Sequence, residues 1–144
     1  MKKLLLIVVV LMMLGGCGEK TKTTTCTYKQ DAFDYQVIME SKEDKIEKMR
    51  YISVLDFAAL GVDDKSLIES VIAQLAGIYE GMEGVTYEHE LTDGVLTEKT
   101  SIEIAKTTLD DLIQIGVVGE DTQSIDIKLS EMTENFTSQG FECK

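Results

Sequence analysis

The sequence predicts an α+β fold, an antiparallel sheet of about five strands with helices packed on one face. Apolar and polar residues alternate with period two across residues 33–40 and again across 85–91, which is typical of half-buried strands. Apolar residues between 62 and 82 recur instead at helical spacing. The order of these segments is βββ-α-ββ-α-α, an arrangement in which hairpins pair side by side and helices cover one face.

The first three segments indicate an antiparallel meander. Residues 23–29 are rich in threonine and form the first strand, and residues 33–40 form the second. A polar turn at 43–45 leads into a third strand over 46–57. One face of that strand carries Met49, Tyr51, Ser53 and Leu55.

The first helix has a recognisable beginning. Asp63 is expected to be its N-cap, with Val62 and Leu67 placed as a hydrophobic staple. Ser66 and Glu69 form a competing capping box three residues further on. The predicted apolar stripe comprises Leu67, Val71, Leu75, Ile78 and Met82, widened by Ile68, Ile72 and Tyr79, and ends near Gly81 or Gly84.

A second hairpin follows the first helix. Residues 85–91 alternate between apolar and polar positions, and Asp93-Gly94 is a strong signal for a tight turn. The return strand is expected to cover residues 95–105. Thr108 and Asp111 then form a capping box for a short helix that stops at Gly116.

The last helix has a clearer end than beginning. Its start is predicted near Ser124 or near Ser130, and the pattern does not choose between them. Gly140 at its end would let Phe141 pack on Phe136, the apolar contact of a Schellman motif. Its apolar positions are Ile125, Leu129, Met132 and Phe136.

The amino terminus has the pattern of a bacterial lipoprotein signal peptide. Lys2 and Lys3 precede an apolar run of eleven residues, 4–14. As a helix this run would be roughly 16 Å long, far short of the roughly 30 Å hydrocarbon core of a bilayer. The segment is therefore expected to be an export signal and not a membrane-spanning anchor.

The end of this run resembles a lipobox, with Leu14, Gly15 and Gly16 as the signal-peptidase recognition residues before Cys17. The resemblance implies cleavage after Gly16 and a diacylglyceryl group on the Cys17 thiol, which anchors the protein to the cell membrane on its extracytoplasmic face. We expect a cleaved segment 1–16, a lipidated polar tether 17–25 and one domain 26–144. The protein is thus expected to be a surface lipoprotein of the Gram-positive type, and its first expected partner is the membrane, which it binds through the lipid on Cys17.

Charge and cysteine content narrow the possible partners of the protein and the possible states of its cysteines. Cleavage removes Lys2 and Lys3, which leaves 12 basic and 26 acidic residues and a net charge of −14. Such a surface argues against nucleic acid as a partner. With Cys17 lipidated, Cys26 and Cys143 remain as a possible disulfide, a bond that is plausible outside the cell; two unpaired thiols are the alternative.

The chain resembles the YehR-like family of small bacterial lipoproteins. The resemblance is carried by LGGC at 14–17, SKEDKIEK at 41–48, the helix segment 61–85, IEIAKTTLDDL at 102–112 and SQGFECK at 138–144. It implies a lipid anchor and an α+β fold. It adds no active site, because the family has no established biochemical function, and some of its members lack the two terminal cysteines.

No combination of residues indicates catalysis, a cofactor or a metal site. His89 is the only histidine, and its neighbours Glu88 and Glu90 point to the opposite side of a strand. Asp63-Asp64 and Asp110-Asp111 are at predicted helix starts, where acidic residues favour the helix dipole. They lack the spacing of a calcium loop.

The expected function is therefore non-enzymatic binding of another protein or a small ligand near the membrane. Two alternatives stay open at this point. One is an enzyme whose site the sequence does not reveal. The other is a signal peptide that serves as the precursor of a short apolar signalling peptide from residues 8–16.

Overall fold

A computed structural model describes residues 20–144. Six strands and three α-helices alternate in the order β1-β2-β3-α1-β4-β5-α2-α3-β6. The strands are β1 (Thr21–Gln30), β2 (Phe33–Lys42), β3 (Lys45–Asp56), β4 (Val85–Thr92), β5 (Val95–Glu103) and β6 (Glu142–Cys143). The helices are α1 (Lys65–Tyr79), α2 (Leu109–Gln114) and α3 (Leu129–Ser138), with a single 3-10 turn at Ile104–Lys106.

All the strands belong to one antiparallel sheet with the spatial order β4-β5-β3-β2-β1-β6. This confirms the predicted α+β architecture, with one more strand than expected. The additional strand, β6, pairs Cys143 with Cys26 of β1. Its two residues are too few to produce a period-two pattern, so the sequence alone does not reveal it.

The helices cover one face of the sheet, and the core beneath them has two parts. The larger cluster joins β1, β2, β3 and β5 to the two short helices. The smaller cluster contains Phe57, Leu96 and two residues of α1, Ile68 and Ile72. The main buried side chains of the larger cluster are Val37, Met39, Met49, Ile102, Leu112 and Leu129.

The first strand starts earlier than the sequence indicates. Of the predicted tether, residues 21 and 22 lie before the predicted strand and residues 23–25 within it, and all five pair with β2 from Thr21↔Lys42 onward. Their threonines suit an extended, paired backbone because their β-branched side chains favour strands. The chain therefore enters the sheet only four residues after Cys17.

The beginning of α1 corrects the prediction by one residue. Asp64, and not Asp63, is the N-cap, and its carboxylate accepts hydrogen bonds from the backbone N–H groups of Ser66 and Leu67 at 2.9 and 3.2 Å. Leu67 is 52 % exposed, so the predicted staple is absent. The stripe that faces the sheet is Ile68, Ile72, Leu75 and Tyr79.

The α1 helix also ends earlier, at Tyr79, because Glu80 leaves the helical conformation and Gly81 has a φ of 80°. The second hairpin turns at Asp93-Gly94 as predicted, with φ values of 51° and 81° that suit a type I′ turn. Its return strand stops at Glu103 instead of Ala105, where the 3-10 turn begins.

The cap of α2 and the end of α3 follow the prediction. Thr108 accepts a hydrogen bond from the Asp111 N–H at 3.1 Å. After α3, Gly140 has a φ of 93°, and the Phe141 N–H donates to the Phe136 carbonyl at 3.0 Å. The two phenyl rings are 5.0 Å apart between centroids, which is the expected Schellman contact.

The beginning of α3 is set by a residue distant in sequence. The helix starts at Leu129, so Ile125 lies outside it, and its N-cap Lys128 provides no side-chain cap. Instead Asp44, in the turn between β2 and β3, accepts hydrogen bonds from the backbone N–H and the hydroxyl of Ser130 at 2.8 and 2.7 Å. A cap that comes from 86 residues away cannot be recognised from local sequence.

Candidate functional site

Four cross-strand rows of side chains lie on the helix-covered face of β2, β3, β5 and β4. The outer two rows differ in polarity from the inner two. The outer two rows are apolar, and all their members except Phe33 and Leu91 belong to or pack against the two core clusters. They are Phe33, Leu55, Leu96 and Leu91 at one end, and Met39, Met49, Ile102 and Val85 at the other. The two rows between them are largely polar or aromatic: Tyr35, Ser53, Glu98 and His89, then Val37, Tyr51, Thr100 and Tyr87.

These inner rows form the floor of a cavity of about 120 Å³, which we call the tyrosine–glutamate cleft. Its floor is made by Tyr35, Tyr51, Ser53, Glu98 and Thr100. Its walls are Leu75 and Tyr79 of α1, Ile102 of β5 and Ile115, the residue that follows α2. The cleft thus lies between the middle of the sheet, α1 and the end of α2.

Glu98 is the polar centre of the cleft. One of its carboxylate oxygens, Oε1, accepts a hydrogen bond from the Tyr87 hydroxyl at 2.5 Å, and Oε2 accepts one from the Ser53 hydroxyl at 2.9 Å. Both donors are neutral. Among residues 20–144, no ion pair includes Glu98.

Aromatic rings surround this carboxylate. Tyr79 of α1 stacks on Tyr87 of β4 with ring centroids 4.8 Å apart and planes at 14°. Tyr35 and Tyr51 meet at 6.0 Å on the other side. Four of the five tyrosines of the chain are therefore gathered at this site.

The electrostatics of the cleft disfavour additional negative charge. Burial raises the pKa of Tyr35 to about 12, and the nearby Tyr79 and Glu98 charges add to the shift. The pKa of Tyr51 is also raised, chiefly by burial. Burial and the hydrogen bond to Glu98 raise the pKa of Tyr87. All three phenols consequently stay neutral at physiological pH.

The residues singled out in the sequence lie elsewhere. The recognition residues Leu14, Gly15 and Gly16 and the lipidation site Cys17 fall outside the described residues. Cys26 and Cys143 form a disulfide between β1 and β6. Asp64 caps α1, and Asp110 and Asp111 lie in the first turn of α2.

His89 is exposed on β4, with its ring 5.6 Å from that of Tyr87. Within residues 20–144, no cluster of three or more His, Cys, Asp or Glu residues is arranged to hold a metal ion. The helices of this part of the chain are also too short or too polar to cross a membrane.

The cleft itself was missed by sequence reasoning. A usable signal existed, because Ser53 is an inward position of β3 that the alternation placed on the core face. Glu98 and Thr100 occupy the matching positions of β5. Polar residues on a buried strand face are uncommon unless they are paired or functional, and here the register brings three of them together.

Known proteins share this fold. The NMR structure of the Escherichia coli protein YehR superimposes with a TM-score of 0.72, at 21% identity, over 88% of this chain and 92% of that one. The NMR structure of a protein from Streptococcus pneumoniae TIGR4 gives a TM-score of 0.58, at 14% identity, over 90% of this chain and 88% of that one. These two similarities show the fold.

A curated relative extends the similarity to sequence. The uncharacterized lipoprotein Lmo0207 of Listeria monocytogenes is 26% identical over 130 residues, which cover 90% of this chain and 85% of the relative. The family model described as "Protein of unknown function (DUF1307)" matches residues 21–142, nearly the whole of the described domain. The chain therefore belongs to the DUF1307 family.

Proposed function

We propose that the protein is a lipid-anchored, extracytoplasmic binding protein whose tyrosine–glutamate cleft holds a small ligand without catalysis. The observation that carries the binding role is the cleft: a cavity beneath two helices, lined by aromatic rings and centred on one carboxylate. Ligand sites typically combine apolar or aromatic walls with a few polar groups that fix orientation.

The anchor is supported by the amino-terminal sequence and by a relative. The apolar run, Leu14-Gly15-Gly16 and Cys17 have the order of a lipoprotein signal. The Listeria relative is described as a lipoprotein. Since β1 starts at Thr21, only four residue steps separate it from Cys17, a reach of at most about 14 Å. The domain would therefore work at the membrane surface.

Binding is favoured over catalysis by the state of Glu98. Both of its oxygens accept hydrogen bonds from hydroxyl groups, so the carboxylate is fixed by its neighbours. Each oxygen keeps a further lone pair for a bound group, but the residues that line the cavity include no histidine or second carboxylate that could share a proton with Glu98. His89 lies in the same cross-strand row as Glu98, but its side chain is exposed to solvent.

The anchor can be tested by metabolic labelling with palmitate. We expect the wild-type protein to incorporate label and to sediment with membranes, and Cys17→Ser to do neither. Cys26→Ser is the control for loss of another cysteine, because it breaks the Cys26–Cys143 disulfide but leaves Cys17 and should retain the label. Membrane association of Cys17→Ser equal to that of the wild type would contradict the lipid anchor.

The binding role can be tested through tyrosine fluorescence, since the chain has no tryptophan. The lipidated protein in detergent micelles would be screened against metabolite-sized cationic, neutral and anionic compounds. Tyr28→Phe removes the one tyrosine outside the cleft, so any saturable change must arise at the site. If no compound of any charge gives a saturable change, the cleft is not a ligand site.

A further inference from the structure

We propose that the ligand of the tyrosine–glutamate cleft is a small organic ammonium ion, with Glu98 as its counter-ion and the tyrosine rings as its walls. This inference rests on the proposed binding function and names the ligand class for the same site. Four observations support it: charge, aromatic surface, apolar wall and volume.

The charge of the cleft is negative and uncompensated. Glu98 is the only ionised side chain among the residues that line the cavity. Its two hydrogen-bond donors, Ser53 and Tyr87, are neutral hydroxyls. A partly buried carboxylate without a cationic partner is unfavourable, and a bound cation would supply the missing positive charge.

The aromatic surface suits the same cation. Tyr35, Tyr51 and Tyr79 line the cavity, and Tyr79 is held in place by its stack on Tyr87. The face of an aromatic ring carries partial negative charge and attracts ammonium groups at short range. An anion would instead meet repulsion from Glu98, and burial already keeps the neighbouring phenols protonated.

The apolar wall distinguishes an organic cation from a bare metal ion. Leu75, Ile102 and Ile115 also line the cavity, and they offer no ligand to a metal. A hard metal ion requires six or more oxygen ligands, whereas methyl or methylene groups on nitrogen would pack against these side chains. The cavity volume of about 120 Å³ restricts the occupant to a small molecule or a single head group.

The test is a titration of the lipidated protein with matched probes, in which tyrosine fluorescence reports binding. Tetramethylammonium and ethylammonium are the cationic probes, tert-butanol is the neutral probe of similar shape, and acetate is the anion. We expect both cations to bind at least about tenfold more tightly than the other two probes, about 1.4 kcal/mol of selectivity. Equal binding of tert-butanol would overturn the ammonium assignment while leaving the binding function intact.

Two pairs of variants locate the effect. Glu98→Gln should weaken cation binding at least about tenfold without weakening that of tert-butanol. Glu88→Gln, on the opposite face of β4, removes the same charge and should change it less than about twofold. Tyr79→Phe should retain binding and Tyr79→Leu should lose it. Retained cation selectivity in Glu98→Gln would refute the role of Glu98.

A further comparison distinguishes a soluble ammonium compound from a lipid head group as the ligand. Free ethanolamine is titrated against vesicles that carry phosphatidylethanolamine in a phosphatidylglycerol background. Saturation by ethanolamine alone indicates a soluble ligand, and a response only to the vesicles indicates a lipid head group. No response to either form or to the other cations would overturn the ammonium assignment, whereas the binding function fails only if the wider screen fails as well.

Discussion

Two halves of the molecule use their polar groups differently. The disulfide half comprises β1, β6, α3 and the turn between β2 and β3. The cleft half comprises β4, β5, α1 and the central parts of β2 and β3 that line the cleft. In the disulfide half, the ends of the chain are closed by the Cys26–Cys143 bond, by backbone bonds of 2.9 and 2.8 Å between Thr25 and Lys144, and by the Schellman motif after α3. In the cleft half, polar side chains instead line a cavity beneath α1.

Two carboxylates make this difference concrete. Asp44 in the disulfide half is exposed, and both of its oxygens bind the first turn of α3, which is a structural task. Glu98 in the cleft half is partly buried and lines a cavity. Its oxygens accept hydrogen bonds from two neutral hydroxyl groups. The first carboxylate stabilises a helix, while the second is held by two hydroxyl groups at the edge of a cavity.

The largest expected effect comes from breaking the disulfide half. Replacing Cys26 and Cys143 by alanine frees a loop with a sequence separation of 117, which the chain-entropy model values at about 4–5 kcal/mol. Denaturant unfolding of the double variant, with and without reductant, measures the loss. The wild type in reductant should match the variant, and a loss below about 1 kcal/mol would show that the two ends hold without the bond.

The cleft half should lose stability at high pH. Unfolded tyrosines ionise near pH 10.0, whereas folded Tyr35 has a pKa of about 12, so the contribution is complete below pH 10 and disappears as pH rises toward 12. At about 1.4 kcal/mol per pKa unit, ionisation of Tyr35 alone lowers the free energy of unfolding by at most about 2–3 kcal/mol. Tyrosinate absorbance should therefore rise together with unfolding. Ionisation of all five tyrosines near pH 10 in a still folded protein would contradict the burial of the cleft.

The sequence predicted the frame of both halves and, from the cysteine count, the Cys26–Cys143 pair, but not the other contacts between distant parts. Alternation located the long strands, and short-range signals such as Asp93-Gly94, Thr108 and Gly140 located turns and caps. These features depend on neighbouring residues. The pairing of β6 depends on a partner more than a hundred residues away, so the local sequence pattern does not predict it.

The cleft was hidden for a related reason. Each of its polar residues alone is an ordinary member of a strand, and only the register of β2, β3, β5 and β4 brings them into adjacent rows. The stripe of α1 was also placed one residue too early, since Leu67 and Ile78 face solvent at 52 % and 40 % exposure. The wide apolar surface of this helix allowed either orientation, and packing against Leu96 selected one.

A smaller effect is expected at the cap of α3. Asp44→Ala and Ser130→Ala should each lower the melting temperature, and the double variant should be little worse than Asp44→Ala, which already removes both bonds, whereas Ser130→Ala leaves the backbone one. Hydrogen bonds from Ser130 hold the pKa of Asp44 below its usual 3.8. The stabilisation is thus present above pH 4 and is lost as pH falls through the lowered pKa. Additive losses in thermal melts would rule out a shared cap.

The smallest effect on stability should come from Glu98→Gln, although this substitution is expected to weaken cation binding. The change loses charge-assisted hydrogen bonds to Ser53 and Tyr87, each worth about 1.5–3 kcal/mol. It also relieves the cost of keeping an unpaired carboxylate partly buried, which is several kcal/mol. We expect these contributions to cancel within about 1 kcal/mol in denaturant unfolding. A loss above about 2 kcal/mol would place Glu98 with Asp44 as a structural carboxylate and would remove the distinction between the two halves.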